Sequence, residues 1–282
     1  MMLALGLAVA VAFDTDTLLV TADWVAARQA DPAVVLLHVG GATDYRDGHI
    51  PGARLVDLMR VHSHGAHGMP PAQDLRDAFE AAGVSDQSRI VLYGSGMSAA
   101  IAFVALEHIG LGNRASVLDG GLSAWRANGG VVSTTPAEAA RGQLGPMRPG
   151  QAVADAGWIL PRLKGTGIAI LDARTPAEYA GTARESLPRT GHLPGARLLE
   201  WTQLTDSVTG KFLPPAELQA LFASRGVAPG DTVVSYCTVG MRASQLYFAA
   251  RLLGHPARMY AGSMMDWAAR TELPIRTGPE PD

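Results

Sequence analysis

Hydrophobic positions along this chain fall into two kinds of run, and the two kinds alternate. Continuous, β-branched stretches such as "AVVLLHV" (33–39) and "RIVLYG" (89–94) predict buried strands of a parallel sheet. Between and after them, "PAQDLRDAFEAAG" (71–83) and "MSAAIAFVALEHIG" (97–110) have helical spacing and end on glycine. The same order returns as "GIAILDA" (167–173), "PPAELQALFASRG" (214–226), "DTVVSYC" (231–237) and "RASQLYFAARLLG" (242–254). In the last of these, Leu246, Ala249, Ala250 and Leu253 fall on one helical face. Strands alternating with helices imply an α/β fold in which helices cover both faces of a parallel sheet.

The return is a duplication. "DYRDGHIPGARL" (44–55) reappears as "EYAGTARESLPRTGHLPGARL" (178–198). Tyr45 maps to Tyr179 at an offset of 134 and His49 to His192 at 143, so 143 − 134 = 9 residues are inserted near 181–190. Their Gly, Pro and polar content suits a surface loop. Trp24 with Trp158, Tyr93 with Tyr236 and Trp125 with Trp267 keep offsets of 134, 143 and 142. Two domains follow, 14–134 and 147–277, joined by a linker at 135–146 inside a stretch rich in Pro, Gly and Ala. The Gly-His pair and the tryptophans recur in both halves, which predicts structural roles for them.

Composition narrows the function classes. The 282 residues are 48% hydrophobic and 17% charged, with a net charge of −3. That balance argues for a globular protein and against a nucleic acid or an anionic membrane surface as main partner. A single cysteine excludes an internal disulfide framework and a thiolate zinc site built by one chain. Residues 1–13 are apolar or small and fit either a truncated signal or a frayed terminus, which leaves export and a cytoplasmic location both open. The run is too short to span a bilayer, which needs ~20 apolar residues, and no later segment reads as a transmembrane helix. "HSHGAHG" places His62, His64 and His67 close enough to ligate zinc or nickel. It has no counterpart in the second half, and its glycines favour an exposed connecting loop.

The lone cysteine is the main candidate for chemistry. Cys237 stands where a strand ends and a helix is expected to begin, near Ala243. In parallel sheets ligands bind at that end of the strands. The loop Cys237-Thr238-Val239-Gly240-Met241-Arg242 can curl so that its N–H groups face the sulfur, with Gly240 permitting the curl. A helix start and Arg242 add positive potential, which favours thiolate over thiol. A cation at a helix start opposes the dipole by ~0.3–1 kcal/mol, so Arg242 points to a local anion.

Cys-x4-Arg after a strand, the Asp-x-Arg of "LDARTPAEY", "GHLPGA" and "GSMMDW" together resemble the rhodanese superfamily, specifically its tandem-domain sulfurtransferases. The resemblance runs over about 14–134 and 147–277 and implies two tandem rhodanese-like domains, the second catalytic. The first half fits the inert role, with Gly94 at the place of Cys237, and His38 and Gly40 in place of Asp172 and Arg174.

The resemblance implies that Cys237 takes the outer sulfur of thiosulfate, releases sulfite, and passes the sulfur from a persulfide to cyanide or a thiol. No metal or organic cofactor is required. Thr238, Val239, Gly240, Met241, Arg242 and Arg174 are expected to bind the donor, with Asp172 in support; an ion pair between Asp172 and Arg174 that holds the loop is the alternative. A 3-mercaptopyruvate donor is the nearer rival. Thr238 and Arg242 depart from the loop typical of that type, and the acidic Glu178 would repel a carboxylate. A non-enzymatic persulfide carrier is a further alternative. Phosphatases of similar architecture need five residues between Cys and Arg, whereas four stand here.

Overall fold

Each long β-branched run forms a strand at the centre of a sheet, and each helical stretch crosses back over that sheet. The structure, a computed structural model, describes residues 18–62, 69–148, 150–183 and 186–282. The 1–13 segment, His64 and His67 lie outside the described residues. The first half contains β1 (Leu19–Val20), β2 (Val34–Gly40), β3 (Arg54–Asp57), β4 (Arg89–Gly94) and β5 (Ala115–Leu118). Its helices are α1 (Ala22–Ala26), α2 (Ala42–Asp47), α3 (Leu58–Val61), α4 (Ala72–Ala81), α5 (Gly96–His108) and α6 (Gly121–Ala127). The second half contains β6 (Val153–Ala154), β7 (Ile168–Asp172), β8 (Arg197–Leu198), β9 (Thr232–Tyr236) and β10 (Ala257–Tyr260). Its helices are α7 (Ala156–Ile159), α8 (Pro176–Ala180), α9 (Pro215–Ser224), α10 (Met241–Leu252) and α11 (Ser263–Trp267).

Both sheets are parallel throughout, and their strand orders are the same: β1-β5-β4-β2-β3 and β6-β10-β9-β7-β8. The duplication seen in the sequence is therefore a duplication of the fold. In the second sheet β7 and β9 run in register from Ile168↔Thr232 to Asp172↔Tyr236, so Asp172 and Tyr236 end side by side. The recurring residues are internal supports. Trp125 and Trp267 are buried and donate from their indole nitrogens to the carbonyls of Val131 (2.7 Å) and Pro274 (2.8 Å). His49 and His192 stack on Tyr45 and Tyr179, with ring centroids 3.8 Å apart in both cases.

The expected helices α5 and α10 differ from a one-sided pattern in an informative way. Every residue from Ser98 to Leu106 in α5 and from Ala243 to Ala250 in α10 is buried. Each helix lies on its own sheet with one side and on the other helix with the opposite side. Phe103 meets Phe248 edge-on at 4.9 Å between centroids, and the Ser244 hydroxyl reaches the Met97 carbonyl at 3.3 Å. Glu107 of α5 takes hydrogen bonds from Tyr247 and Arg251 of α10. One apolar core consequently runs through both halves, while the outer face of each sheet has a smaller core of its own.

The stretch between the halves is a strap along the first half. Gly142 N–H donates to the Glu80 carbonyl (2.7 Å) and Leu144 N–H to the Glu80 carboxylate (3.0 Å). Arg141 reaches the same carboxylate at 2.7 Å. The Leu144 N–H first, then the Arg141 and Arg76 guanidiniums, hold the Glu80 carboxyl below the usual range against the effect of burial.

Candidate active site

Cys237 is the first residue beyond the carboxyl end of β9, a strand flanked by β7 and β10. Its backbone is fixed to the start of α11. Cys237 N–H donates to Ser263 Oγ (3.1 Å), which in turn donates to the Tyr260 carbonyl (2.8 Å). Met264 N–H reaches the Cys237 carbonyl at 3.0 Å and Met265 N–H the Thr238 carbonyl at 2.9 Å. Ser263 holds a left-handed φ of 51°, which turns its hydroxyl and these amides toward the loop.

The loop then folds over the sulfur. Gly240 N–H points at Cys237 Sγ with N···S at 3.1 Å. Gly240 has φ 94°, and a Cβ there would stand 3.0 Å from the Ala261 carbonyl oxygen. Glycine therefore satisfies both the turn and the close approach. Helix α10 begins directly after it, at Met241, two residues earlier than the sequence suggests, because this turn already aligns the chain with the helix axis. Cys237 is 1% exposed at the floor, and Thr238, Val239, Met241 and Arg242 are half-buried around it.

The two arginines are placed differently from the sequence expectation. Arg242 faces Glu178 rather than standing as an isolated cation: Nη1 and Nη2 each bond one carboxylate oxygen at 2.7 Å. Nη2 also reaches Thr238 Oγ1 at 2.8 Å. Glu178 is presented by a capping box at the start of α8, in which Thr175 and Glu178 bond each other's backbone. Burial raises the Glu178 pKa, but hydrogen bonds from Arg242 and from the Thr175 N–H and hydroxyl prevail and bring it to about 2.

Arg174, expected among the donor-binding residues, is fully buried and turned into the scaffold. It bonds Asp172 through Nε (3.1 Å) and Nη2 (2.8 Å) and the Gly191 carbonyl through Nη2 (2.6 Å). Its guanidinium lies 5.9 Å from the Tyr236 ring centroid. Asp172 is equally buried, so the pair neutralises itself beneath the loop. This is the ion pair that the sequence offered as the alternative, set by the position at the end of a buried strand with a partner two residues away.

Besides the Arg242–Glu178 pair, two contacts escaped the sequence reading. Ser263 lies in the quoted "GSMMDW", but nothing local shows that its hydroxyl reaches Cys237. His62 stands in the histidine cluster, yet its Nε2 lies 2.7 Å from the Val239 carbonyl oxygen of the other domain, 177 residues away. Among the described residues no group of three or more metal-ligating side chains converges.

The matching place in the first half has no room for chemistry. A Cβ on Gly94 would lie 2.3 Å from the Val39 carbonyl oxygen and 2.5 Å from Ser98 Oγ. His38 sits where Asp172 sits in the second half, edge-on to Tyr93 at 5.2 Å.

Comparison with known proteins shows the family. The rhodanese-like domain family matches residues 21–128 and 155–270. A probable 3-mercaptopyruvate sulfurtransferase of Pseudomonas aeruginosa is 34% identical over 280 residues, covering 92% of this chain and 98% of that protein. A thiosulfate sulfurtransferase of Azotobacter vinelandii is 31% identical, covering 88% of this chain and 93% of its own. The crystal structure of an anaerobic ergothioneine biosynthesis enzyme from Chlorobium limicola shares the fold, with a TM-score of 0.84, 23% identity and coverage of 93% and 70%. The chain belongs to the rhodanese-like family and carries two such domains in tandem.

Proposed function

We propose that this protein is a sulfurtransferase that moves a sulfane sulfur through a persulfide on Cys237, with thiosulfate as donor. The carrying observation is the Gly240 N–H aimed at Sγ across 3.1 Å, at the carboxyl end of a central parallel strand. A preorganised donor there stabilises an anionic sulfur, both the attacking thiolate and the persulfide that replaces it. The Cys237 thiolate attacks the outer sulfur of thiosulfate. The new Cys–S bond forms as the S–S bond of thiosulfate breaks, and sulfite leaves with the electron pair. Cyanide or a thiolate then attacks the outer sulfur of the persulfide and returns the Cys237 thiolate. Two displacements through a covalent intermediate give ping-pong kinetics.

Thiosulfate is favoured by the loop, where Thr238 and Arg242 depart from the type expected for a 3-mercaptopyruvate donor, and by the 31% identity to the Azotobacter thiosulfate sulfurtransferase. 3-Mercaptopyruvate is the second reading, supported by the 34% identity to the Pseudomonas protein. Incubation with each donor, followed by intact mass spectrometry, separates the two: thiosulfate is expected to add about 32 Da, one sulfur, at Cys237. Cys237→Ser abolishes the addition and the turnover with cyanide. Absence of the mass increase with both donors sinks the reading. A mass increase with no turnover to cyanide or small thiols makes the protein a persulfide carrier instead.

A further inference from the structure

The domain without a nucleophile reaches into the active loop. His62 follows α3 and is fully buried, and its Nε2 lies 2.7 Å from the Val239 carbonyl oxygen. A ring nitrogen that close to a carbonyl carries the proton, so Nε2–H donates. On the far side of the same peptide unit, Gly240 N–H donates to Cys237 Sγ at 3.1 Å. The C=O and N–H of a trans peptide are rigidly coplanar and point in opposite directions. A group that fixes one end of that unit fixes the other.

We propose that His62 is a positioning residue for sulfur chemistry: by holding the Val239 carbonyl, it keeps the Gly240 N–H turned toward Cys237 Sγ. The alternative orientation is a realistic one. The 239–240 peptide precedes a glycine with φ 94°, the setting in which the central peptide of a tight turn flips most readily. The flip would replace a donor facing the sulfur with a carbonyl oxygen, which repels a thiolate or persulfide. His62 holds the productive orientation, and its hydrogen bond also polarises the peptide and strengthens the N–H as a donor. The first domain then contributes to the reaction a contact that its own sequence repeat does not contain. The other charged groups around the loop, Arg242 with Glu178 and Arg174 with Asp172, are already paired and stay unchanged when His62 is replaced.

The inference rests on Cys237 being the sulfur-bearing group, and its test separates the two claims. Three forms are compared: the wild-type chain, His62→Gln, whose amide nitrogen can donate in place of Nε2, and His62→Met, of similar bulk without a donor. The readouts are the pH profile of Cys237 alkylation by iodoacetamide and the rate of persulfide formation from thiosulfate, with thermal unfolding alongside. His62→Met is expected to move the alkylation midpoint to higher pH. It should also slow persulfide formation by about 100-fold, the low end of the cost of removing one oxyanion-hole donor. His62→Gln is expected to keep the profile and most of the rate, even where both variants unfold at the same temperature. A wild-type profile in His62→Met, or equal losses in the two variants, overturns the inference. If His62→Met does not fold, nitrogen NMR of histidine-labelled wild-type protein decides: a deprotonated Nε2 on His62 overturns it and a protonated one supports it. Failure of the wild-type chain to take up sulfur defeats the sulfur-transfer reading alone, because the alkylation comparison still stands.

Discussion

Glu178 shows how one side chain changes the meaning of another. Alone, Arg242 at the start of a helix reads as a receptor for an anion from solution; with Glu178 present, that anion is built into the chain. The carboxyl's pKa of about 2 lies below the 4.5 of an ordinary glutamate, so folding favours its ionised form. The contribution to stability is full above about pH 4.5 and disappears as the pH falls toward 2. Urea midpoints measured across that window should fall more steeply for the wild-type chain than for Glu178→Gln. The same variant leaves the guanidinium charge uncompensated, and the KM for thiosulfate should drop roughly fivefold, the factor that ~1 kcal/mol represents. The sequence displayed Cys237, Gly240 and Arg242 because they are neighbours in one short loop. It could not display the carboxylate 64 residues earlier that meets Arg242, nor the side chain of His62 that meets Val239. Pairings of that range are set by the fold.

Among the elements, the long ones were legible and the short ones were not. Strands β2, β4, β7 and β9 are continuous apolar runs because both faces of a parallel sheet are covered. β1, β6 and β8 are two residues each, too short to carry a period, and exist only by pairing with a neighbour. The loops after β4 and β9 differ in the room they leave above the strand. After β9 the Gly240 turn leaves space for a sulfur above the strand; after β4 the Ser98 hydroxyl and the Val39 carbonyl fill that space. Gly94→Cys is accordingly expected to destabilise the fold by about 1–3 kcal/mol, as overpacking does. It should acquire no second persulfide, which mass spectrometry after thiosulfate treatment would reveal.

For the whole molecule, the α5–α10 contact decides whether the halves are independent. Helical spacing in the sequence showed one apolar face on α10, and periodicity cannot say what covers a second face. The structure supplies the answer, each helix covering the other. Phe103 is completely buried against Phe248, and Phe103→Ala should cost about 3–5 kcal/mol. Denaturant unfolding followed separately in each domain, through tryptophans retained in only one half, should show both transitions moving together. A shift confined to the first domain would mean that the halves unfold as separate units.

The shared core has a historical consequence. A domain with Gly94 at the place of Cys237 would ordinarily be free to decay or to be deleted. Here deletion would strip the cover from α10 and expose the face that carries Phe248 to water, which invites aggregation. Once both copies had surrendered their inner faces to one another, the doubling worked as a ratchet. The first copy can drift in its loops, but the second needs it as the other half of a hydrophobic interior.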